Sequence, residues 1–332
     1  MPVRKSVATP LTAAEKQEFQ DAVWALKGER VVLDGLSTYD RYVIVHNEAM
    51  SRLCIWDQDL NLSGFGLRQR NAPHRGPAFL PWHREFLRRF ELDLQRVSGN
   101  PNLGLPYWDW ASDAADPDAS EIWSLVGPGG TRANQFRVTQ GRFSFDPNNP
   151  ADPGNWIIVD STGRPDGGLR RSVGLSPNPA IPRITLPIQS QIEFAKTFSD
   201  YDSPPWNDAS GLLANIPVGF RNLLEGWVVE NPNSPGTLMF GNGLHNRVHV
   251  WVGGSMGPGT SPNDPIFFLH HAFVDKIWAD WEQQHPNSDY QPQSDGPYGH
   301  NWTDAMFPWN GVDSPEIVTV QNASPLGNVQ YQ

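Results

Sequence analysis

The chain has little cysteine and fewer basic than acidic residues. Cys54 is the only cysteine among 332 residues, which excludes an intrachain disulfide and a thiolate metal cluster. We expect Cys54 to be a small buried apolar residue. Lysine and arginine number 25 against 36 aspartates and glutamates, which gives a net charge of −11. Nucleic acids and anionic membrane surfaces attract basic patches, so neither is expected as a partner.

Long apolar segments are also missing. No run approaches the ~18 apolar residues that a membrane-spanning helix requires, so no membrane insertion is expected. Residues Met1 to Pro10 include basic side chains but no apolar stretch behind them, which is not the pattern of a signal peptide. We therefore expect a cytoplasmic protein, and export together with a separate carrier protein stays open.

Aromatic residues, glycine and proline are abundant. The 14 tryptophans and 16 phenylalanines are more than a disordered chain carries and predict a substantial core. The 30 glycines and 31 prolines predict long irregular connections between the ordered elements. We expect a single domain over residues 1–332, with a long irregular insertion at about 111–215 folded against it.

Periodic apolar residues and capping signals predict a mainly α-helical fold. Thr12 to Glu15 forms a capping-box sequence that opens a helix ending near Lys27. Asp264 and Pro265 are predicted as the cap and the first residue of a helix ending near Gln284. The other predicted elements are helices at Ser37–Met50, Pro81–Val97, Phe220–Val229 and Leu244–Trp251, and a short strand at Trp156–Val159. These segments suffice for a four-helix core that carries ligands on its inward faces.

Six of the nine histidines fall into two clusters that share a sequence template. His83 and His271 each follow a proline by six residues and a phenylalanine by four. Two further histidines lie upstream of each, which gives two sets of three: His46, His74 and His83, and His245, His249 and His271. Two sets of three imidazoles, with no cysteine or carboxylate in the pattern, predict a paired-metal centre with copper as the leading metal.

Helix geometry separates the histidines of the second cluster. His245 and His249 are four residues apart, so they project from one face of a helix and can bind one metal ion. His270 and His271 point about 100° apart, so they are not expected to bind the same ion. The template favours His271 as the ligand and His270 as a packed or neighbouring residue. Two histidines in the polar, proline-rich C-terminal stretch are expected on the surface, namely His285 and His300.

Four longer segments around these histidines carry a specific pattern. His74–Arg84 reads HRGPAFLPWHR and is followed by Leu105–Trp110, LPYWDW. His245–Gly254 reads HNRVHVWVGG, and Asp264–His271 reads DPIFFLHH. These segments resemble the two copper motifs of the tyrosinases, a family of type 3 copper proteins. Weaker similarity extends over nearly the whole chain, and bacterial tyrosinases are the most similar members.

The resemblance implies an antiparallel four-helix bundle, with long loops and a few short β-strands, around a dicopper centre. It implies one copper ion bound by the first set of histidines and a second bound by the second set. It also implies that dioxygen is the co-substrate, that monophenols are hydroxylated at the ortho position, and that o-diphenols are oxidised to o-quinones. Small phenols are the expected substrates.

Further residues carry over from the same resemblance. Glu225, within Leu-Glu-Gly-Trp, resembles the acidic residue that holds a water molecule near the coppers in this family. Asn246, directly after His245, resembles the residue that orients this water to deprotonate phenols. Three more residues are expected to contact the ligands or to line the substrate pocket: Phe267, His270 and Val250.

The chain departs from some relatives in two places. Ala72 stands where they carry a cysteine crosslinked to a histidine, so such a thioether cannot form here. Residues 228–243 form an insertion between Glu225 and His245, which we expect to reshape the pocket entrance and which leaves the preferred phenol open. A separate copper-delivery protein stays open as a partner, and the sequence does not indicate the oligomeric state.

Three alternatives stay open. The first is a catechol oxidase or an o-aminophenol oxidase without useful monophenol hydroxylation. The second is a haemocyanin-like oxygen carrier, which uses the same two-copper site. The third is a zinc hydrolase built on the pair His245 and His249, although neither histidine has the neighbouring glutamate of the usual zinc protease motif.

Overall fold

The computed structural model describes residues 2–8, 11–31, 35–51, 71–175, 180, 182–206 and 218–332. Cys54, which was predicted to be buried, lies outside these residues. Over the described part the fold is mainly α-helical, with short strands, as the sequence predicts.

The helices of the described residues are α1 (Ala13–Gly28), α2 (Thr38–Ser51), α3 (Phe79–Ser98), α4 (Ile122–Val126), α5 (Gln189–Lys196), α6 (Phe220–Glu225), α7 (Leu244–Val252), α8 (Ile266–Gln284) and α9 (Val320–Ala323). The strands are β1 (Val3–Arg4), β2 (Ile157–Val159), β3 (Pro165–Gly168), β4 (Val228–Glu230), β5 (Leu238–Phe240), β6 (Ala305–Asn310), β7 (Ile317–Thr319) and β8 (Gln330–Tyr331). The named strands form two-stranded sheets: β1 pairs with β8 in parallel, whereas β2–β3, β4–β5 and β6–β7 are antiparallel.

The predicted capping box starts α1. The Thr12 hydroxyl accepts a hydrogen bond from the Glu15 N–H at 3.2 Å, and the Glu15 carboxylate accepts one from the Thr12 N–H at 2.9 Å. Two amides that have no partner within the helix are thereby satisfied.

Aromatic side chains hold α2, α3 and α8 together. Phe90 of α3 and Phe268 of α8 stack with their ring centroids 3.6 Å apart. Tyr42 of α2 packs edge-on against Phe86 at 5.3 Å and against Phe90 at 5.2 Å. Burial of these large rings fixes which face of each helix points inward, and it is on these faces that the histidines lie.

A buried ion pair fixes the start of α8. The Asp264 carboxylate accepts a hydrogen bond from the Ile266 N–H at 3.1 Å, although Pro265, and not the predicted Asp264, occupies the cap position. The helix itself begins at Ile266, one residue after the predicted first position at Pro265. The same carboxylate accepts two hydrogen bonds from Arg171, at 2.6 and 2.7 Å, and both side chains are fully buried. Arg171 therefore ties the long segment before α5 to the helix that carries His271.

The described residues between 111 and 206 contain only short elements. The strand predicted at Trp156–Val159 is present as β2, at Ile157–Val159. The Asn263 side chain extends this strand edge, because its Nδ2 donates to the Val159 carbonyl at 2.7 Å and its Oδ1 accepts from the Val159 N–H at 2.9 Å. The segment thus lies against the residues that lead into α8.

The helix predicted at Phe220–Val229 is wrong in its C-terminal half. It ends at Glu225, because Gly226 has a φ of 96° and a Cβ at that position would lie 2.4 Å from the Gly243 carbonyl oxygen. The insertion that follows is a β-hairpin in which β4 pairs with β5. The base of this hairpin joins Glu225 to the start of α7.

Buried polar contacts fasten both ends of the described chain to α3 and α8. Arg4 donates to Glu91 at 3.1 Å and to Asp275 at 3.0 Å. The Tyr331 hydroxyl accepts from Arg4 at 2.7 Å and donates to Asp275 at 2.5 Å. Among the helices of the described ranges, none combines the length and the apolarity that crossing a bilayer requires.

Candidate metal centre

The first set of histidines converges at the inner faces of α2 and α3. His46 lies on α2, His83 lies on the first turns of α3, and His74 lies on the loop that precedes α3. One nitrogen of each ring lies within 4.8 Å of one nitrogen of the other two, and all three side chains are buried. This is the grouping predicted for one metal ion.

The second cluster contains four histidines rather than three. His245 and His249 project from α7, and His270 and His271 project from α8. One nitrogen of each ring lies within 4.8 Å of the others. The spacing of four residues on α7 therefore works as predicted, whereas both adjacent histidines of α8 reach the cluster.

Backbone carbonyl groups orient three of the rings. The Nδ1 atoms of His46, His83 and His249 lie 2.7, 2.7 and 2.8 Å from the carbonyl oxygens of Gly259, Phe79 and Met256. Donation from Nδ1–H leaves Nε2 deprotonated and able to bind a metal. The Nε2 atoms of four histidines are buried and have no hydrogen-bond partner among the described residues, namely His46, His83, His245 and His270. Such buried nitrogens fit metal ligation, because an unpaired buried polar atom is otherwise costly.

Burial keeps these imidazoles neutral. It lowers the pKa of His46 to about 3 and the pKa of His249 to about 4, from an ordinary value of 6.5. Burial also lowers the pKa values of the other five histidines of the two clusters well below 6.5. A metal binds the neutral imidazole, so the ligands are in the required form at neutral pH.

The two sets are adjacent and are related by the repeated template. The imidazoles of His83 and His271, which hold the same place in the template, stack with centroids 4.3 Å apart and an angle of 11° between their planes. Phe79 lies 4.8 Å from His245 of the opposite set, and Phe267 lies 4.9 Å from His46 of the opposite set. Each template phenylalanine therefore packs across the boundary between the two sets.

The two histidines of α8 differ in what they face. The Nε2 of His271 lies 3.3 Å from the Nε2 of His249, as two nitrogens directed at one site do. His270 instead stacks on His245, with centroids 5.1 Å apart and an interplanar angle of 15°. Neither ring nitrogen of His270 has a hydrogen-bond partner among the described residues. The contact between His271 and His249 favours His271, but the unpartnered nitrogens of His270 would also fit ligation, so the choice between the two stays a prediction.

Glu225 and Asn246 lie beside His245. The carbonyl oxygen of Glu225 and the Oδ1 of Asn246 are 3.2 and 3.1 Å from the Nδ1 of His245. Glu225 is fully buried, and its burial raises the pKa of the carboxyl group, an effect that Arg221 and the N–H of Arg75 oppose. The Nδ2 of Asn246 is buried without a hydrogen-bond partner among the described residues. The backbone of Glu225 and the side chain of Asn246 thus flank His245, while the Glu225 carboxylate accepts from the Arg75 N–H and from Arg221.

Two charged residues next to Glu225 were missed in the sequence. Arg221 donates to Glu225 at 2.8 Å and to Asp202 at 2.8 Å, and all three side chains are fully buried. The spacing of four residues between Arg221 and Glu225 on a predicted helix is a known ion-pair signal and could have indicated the contact. Nothing in the sequence marks Asp202.

The remaining predicted residues have different environments. Phe267 is fully buried and packs on His271, with centroids 4.2 Å apart. Val250, on α7 beside His249, is 43% exposed, and its place in a substrate pocket stays a prediction.

The surface location predicted for His300 is wrong. His300 is fully buried, and its Nδ1 accepts a hydrogen bond from the Ala78 N–H, just before α3, at 3.0 Å. This contact satisfies one of the amides at the start of α3 that has no partner within the helix. His285 is only partly exposed, and its Nε2 lies 2.7 Å from the Lys196 carbonyl oxygen.

Comparison with known proteins agrees with this arrangement. Residues 36–284 match the family model described as the common central domain of tyrosinase. The chain belongs to the tyrosinase family. A tyrosinase from Streptomyces glaucescens is 40% identical over 320 residues, which cover 96% of each of the two chains. Grixazone synthase from Streptomyces griseus is 35% identical over 301 residues, which cover 86% of this chain and 85% of the relative.

The fold is shared more widely than the activity. A functional unit of octopus hemocyanin superposes over 100% of this chain and 68% of its own, with a TM-score of 0.52 and 18% sequence identity. This likeness shows the fold of type 3 copper proteins and does not distinguish an enzyme from a carrier. The sequence relatives make this distinction, because the tyrosinase and grixazone synthase are enzymes and this chain matches most of the length of each.

Copper fits the residues that are present. As a tyrosinase-family protein the chain is a copper-dependent oxidoreductase with a dicopper centre that uses dioxygen. Neutral imidazoles with buried, unpaired nitrogens form a ligand set that suits copper in both of its common oxidation states. Family membership excludes the zinc hydrolase alternative.

Proposed function

We propose that this tyrosinase-family protein hydroxylates monophenols at the ortho position and oxidises the resulting o-diphenols to o-quinones. One copper would be held by the first set of histidines, and the second by His245, His249 and His271. The observation that carries the monophenol step is the pair of Glu225 and Asn246 beside His245. Without such a pair, oxidation of diphenols alone would be the better proposal.

A monophenol needs a base before it can bind as phenolate. Its hydroxyl titrates near pKa ~10, so at neutral pH it arrives protonated. Asn246 has a buried Nδ2 donor without a hydrogen-bond partner among the described residues, and the carboxylate of Glu225, which accepts from Arg75 and Arg221, has further lone pairs. A water molecule between these two groups would be polarised towards the incoming hydroxyl and would accept its proton.

The remaining groups exclude water and orient the ring. The bound coppers supply dioxygen activation and electron transfer, which no side chain of this chain can provide. Phe79 and Phe267 are fully buried between the two sets and shield the histidines. Neutral imidazoles around them give an apolar floor on which a phenol ring can pack.

The test compares two substrates on three variants. Asn246→Ala and Glu225→Gln should lower turnover of tyramine at least about tenfold more than turnover of 4-methylcatechol, because general-base steps typically contribute 10²–10⁴-fold. Catechols are more acidic, so they depend less on the base. Turnover is expressed per bound copper pair, so that any loss of metal does not enter the ratio.

Glu282→Gln is the matched control. Glu282 also pairs with an arginine, Arg84, and burial raises the pKa of its carboxyl group, but within the described part of the chain no contact joins it to a clustered histidine. The ratio of the two turnovers should stay unchanged in this variant. If Asn246→Ala and Glu225→Gln lost activity equally on both substrates, a catechol oxidase would be the better assignment.

The preferred phenol, delivery of copper by a separate protein and a cytoplasmic location remain proposals from the sequence. The hairpin of residues 228–243 lies between Glu225 and the helix of His245, so changes in it are expected to alter which phenols are accepted.

A further inference from the structure

A chain of three buried charged side chains leads towards the proposed copper site. Asp202 accepts hydrogen bonds from Arg221 at 2.7 and 2.8 Å, and Arg221 donates to the Oε2 of Glu225 at 2.8 Å. None of the three side chains is exposed. Arginine remains charged when it is buried, so this pairing fixes the position of the Glu225 carboxylate.

The other oxygen of that carboxylate holds the loop of His74. The Oε1 of Glu225 accepts a hydrogen bond from the N–H of Arg75 at 2.6 Å. Arg75 directly follows His74 and has a φ of 64°, in the left-handed region that a residue with a side chain adopts only where its surroundings hold it there. The charge-assisted bond to Glu225 is a contact that stabilises this backbone conformation.

His74 depends on its loop more than any other proposed ligand does. The other five proposed ligands lie on α2, α3, α7 and α8, whose packing fixes them. His74 is placed by its loop, through the Asn71 side chain, which accepts from the His74 N–H at 2.9 Å, and through the neighbouring Arg75. A weaker hold on Arg75 would therefore loosen His74, a ligand of the first set.

We propose that Arg221, supported by Asp202, is a positioning residue for His74 and so controls how tightly the first set binds its copper. It acts through Glu225 and the N–H of Arg75. This inference rests on the proposal that His46, His74 and His83 bind one copper, and it is independent of which phenol is oxidised.

The test is a copper titration of the metal-free full chain. It measures one binding constant for each of the two copper ions. The step that disappears in His74→Ala belongs to the first set. Arg221→Lys keeps the charge but not the fork that reaches both carboxylates, so it should weaken that step about tenfold or more and leave the other step unchanged. Arg171→Lys is the matched control, because Arg171 is equally buried and pairs with Asp264 but contacts neither Glu225 nor Arg75.

A second readout follows the loop directly. Hydrogen exchange of the Arg75 amide should be at least about tenfold faster in Arg221→Lys than in the parent, and unchanged in Arg171→Lys. Asp202→Asn should also weaken the first-set copper step and speed exchange of the Arg75 amide, but by smaller factors than Arg221→Lys. This variant serves as the test if Arg221→Lys does not fold.

Three outcomes would overturn the proposal. Equal weakening of the first-set step in Arg221→Lys and Arg171→Lys would mean that any lost buried ion pair has this effect. An unchanged first-set step in Arg221→Lys, or in Asp202→Asn where that variant serves, would mean that Glu225 does not need this support. If His74→Ala removed no step at all, the ligand proposal itself would fail, and this inference with it.

Discussion

The imidazole rings of His83 and His271 stack face to face, 4.3 Å apart, although 188 positions of sequence separate them. Each ring sits at the same place in the repeated template, six residues after a proline and four after a phenylalanine. The repeated template is therefore visible in the structure, because the two sets of histidines contact each other through residues at the same template position. A centre built in this way should need both halves.

Removal of one ligand from either set should abolish the oxidase reaction. His46→Ala and His249→Ala should each reduce the copper content from two ions per chain to one, because each leaves its metal with two protein ligands. Copper is measured by elemental analysis, and activity by oxygen uptake on 4-methylcatechol. His285→Ala, outside both clusters, should keep both coppers. Full oxidase activity with one copper per chain would contradict the paired centre.

The two adjacent histidines of α8 should behave differently. His271→Ala should remove one copper, whereas His270→Phe should keep both, since phenylalanine preserves the ring that stacks on His245. Copper content of the two purified variants decides the matter. The opposite pattern would show that the template misassigns the ligand.

Loss of the ion pair at the start of α8 should destabilise the fold. Arg171→Met leaves the fully buried Asp264 carboxylate without its cation and should lower the free energy of unfolding by about 3–5 kcal/mol. Arg96→Met removes a half-exposed pair with Glu29 and should cost at most about 1 kcal/mol. Urea unfolding of both variants gives the comparison. Similar losses in the two would contradict the role assigned to burial.

The metal-free protein should lose stability as the pH falls below about 6.5. Unfolded histidines titrate near 6.5, whereas burial lowers the pKa of His249 to about 4 and that of His46 to about 3. The unfolded state therefore binds more protons in this window, and each buried histidine contributes a slope of about 1.4 kcal/mol per pH unit.

Urea midpoints of the metal-free chain at several pH values between 7.5 and 5 measure this slope. His270→Phe removes one buried histidine whose pKa burial lowers well below 6.5, so its slope should be smaller by about one proton. A stability that does not change over this range would contradict neutral buried imidazoles in the folded state.

Local sequence signals predicted the longer helices and the division of six histidines into two groups. The capping box of Thr12 and the spacing of His245 and His249 report on helices directly, because they depend on neighbours within one or two turns. Gly226, directly after Glu225, is a local signal for the end of α6 that the predicted helix Phe220–Val229 did not take into account.

Contacts between distant segments could not be predicted in this way. His300 lies in a polar stretch, yet its ring accepts from the N–H of Ala78, 222 positions away, and is fully buried. Asp202 pairs with Arg221 of α6 only because the chain around Asp202 folds back against that helix. Polarity of the surrounding sequence indicates exposure on average, and it fails where a buried backbone group needs a partner.

Oxygen uptake by the copper-loaded chain tests the central claim most directly. Tyramine and 4-methylcatechol are supplied separately under the same conditions, and the rate is expressed per copper pair. We predict sustained uptake on both substrates, with a quinone product from each. Uptake on 4-methylcatechol alone would contradict the proposed monophenol hydroxylation, and no sustained uptake on either would contradict the assignment as an oxidase.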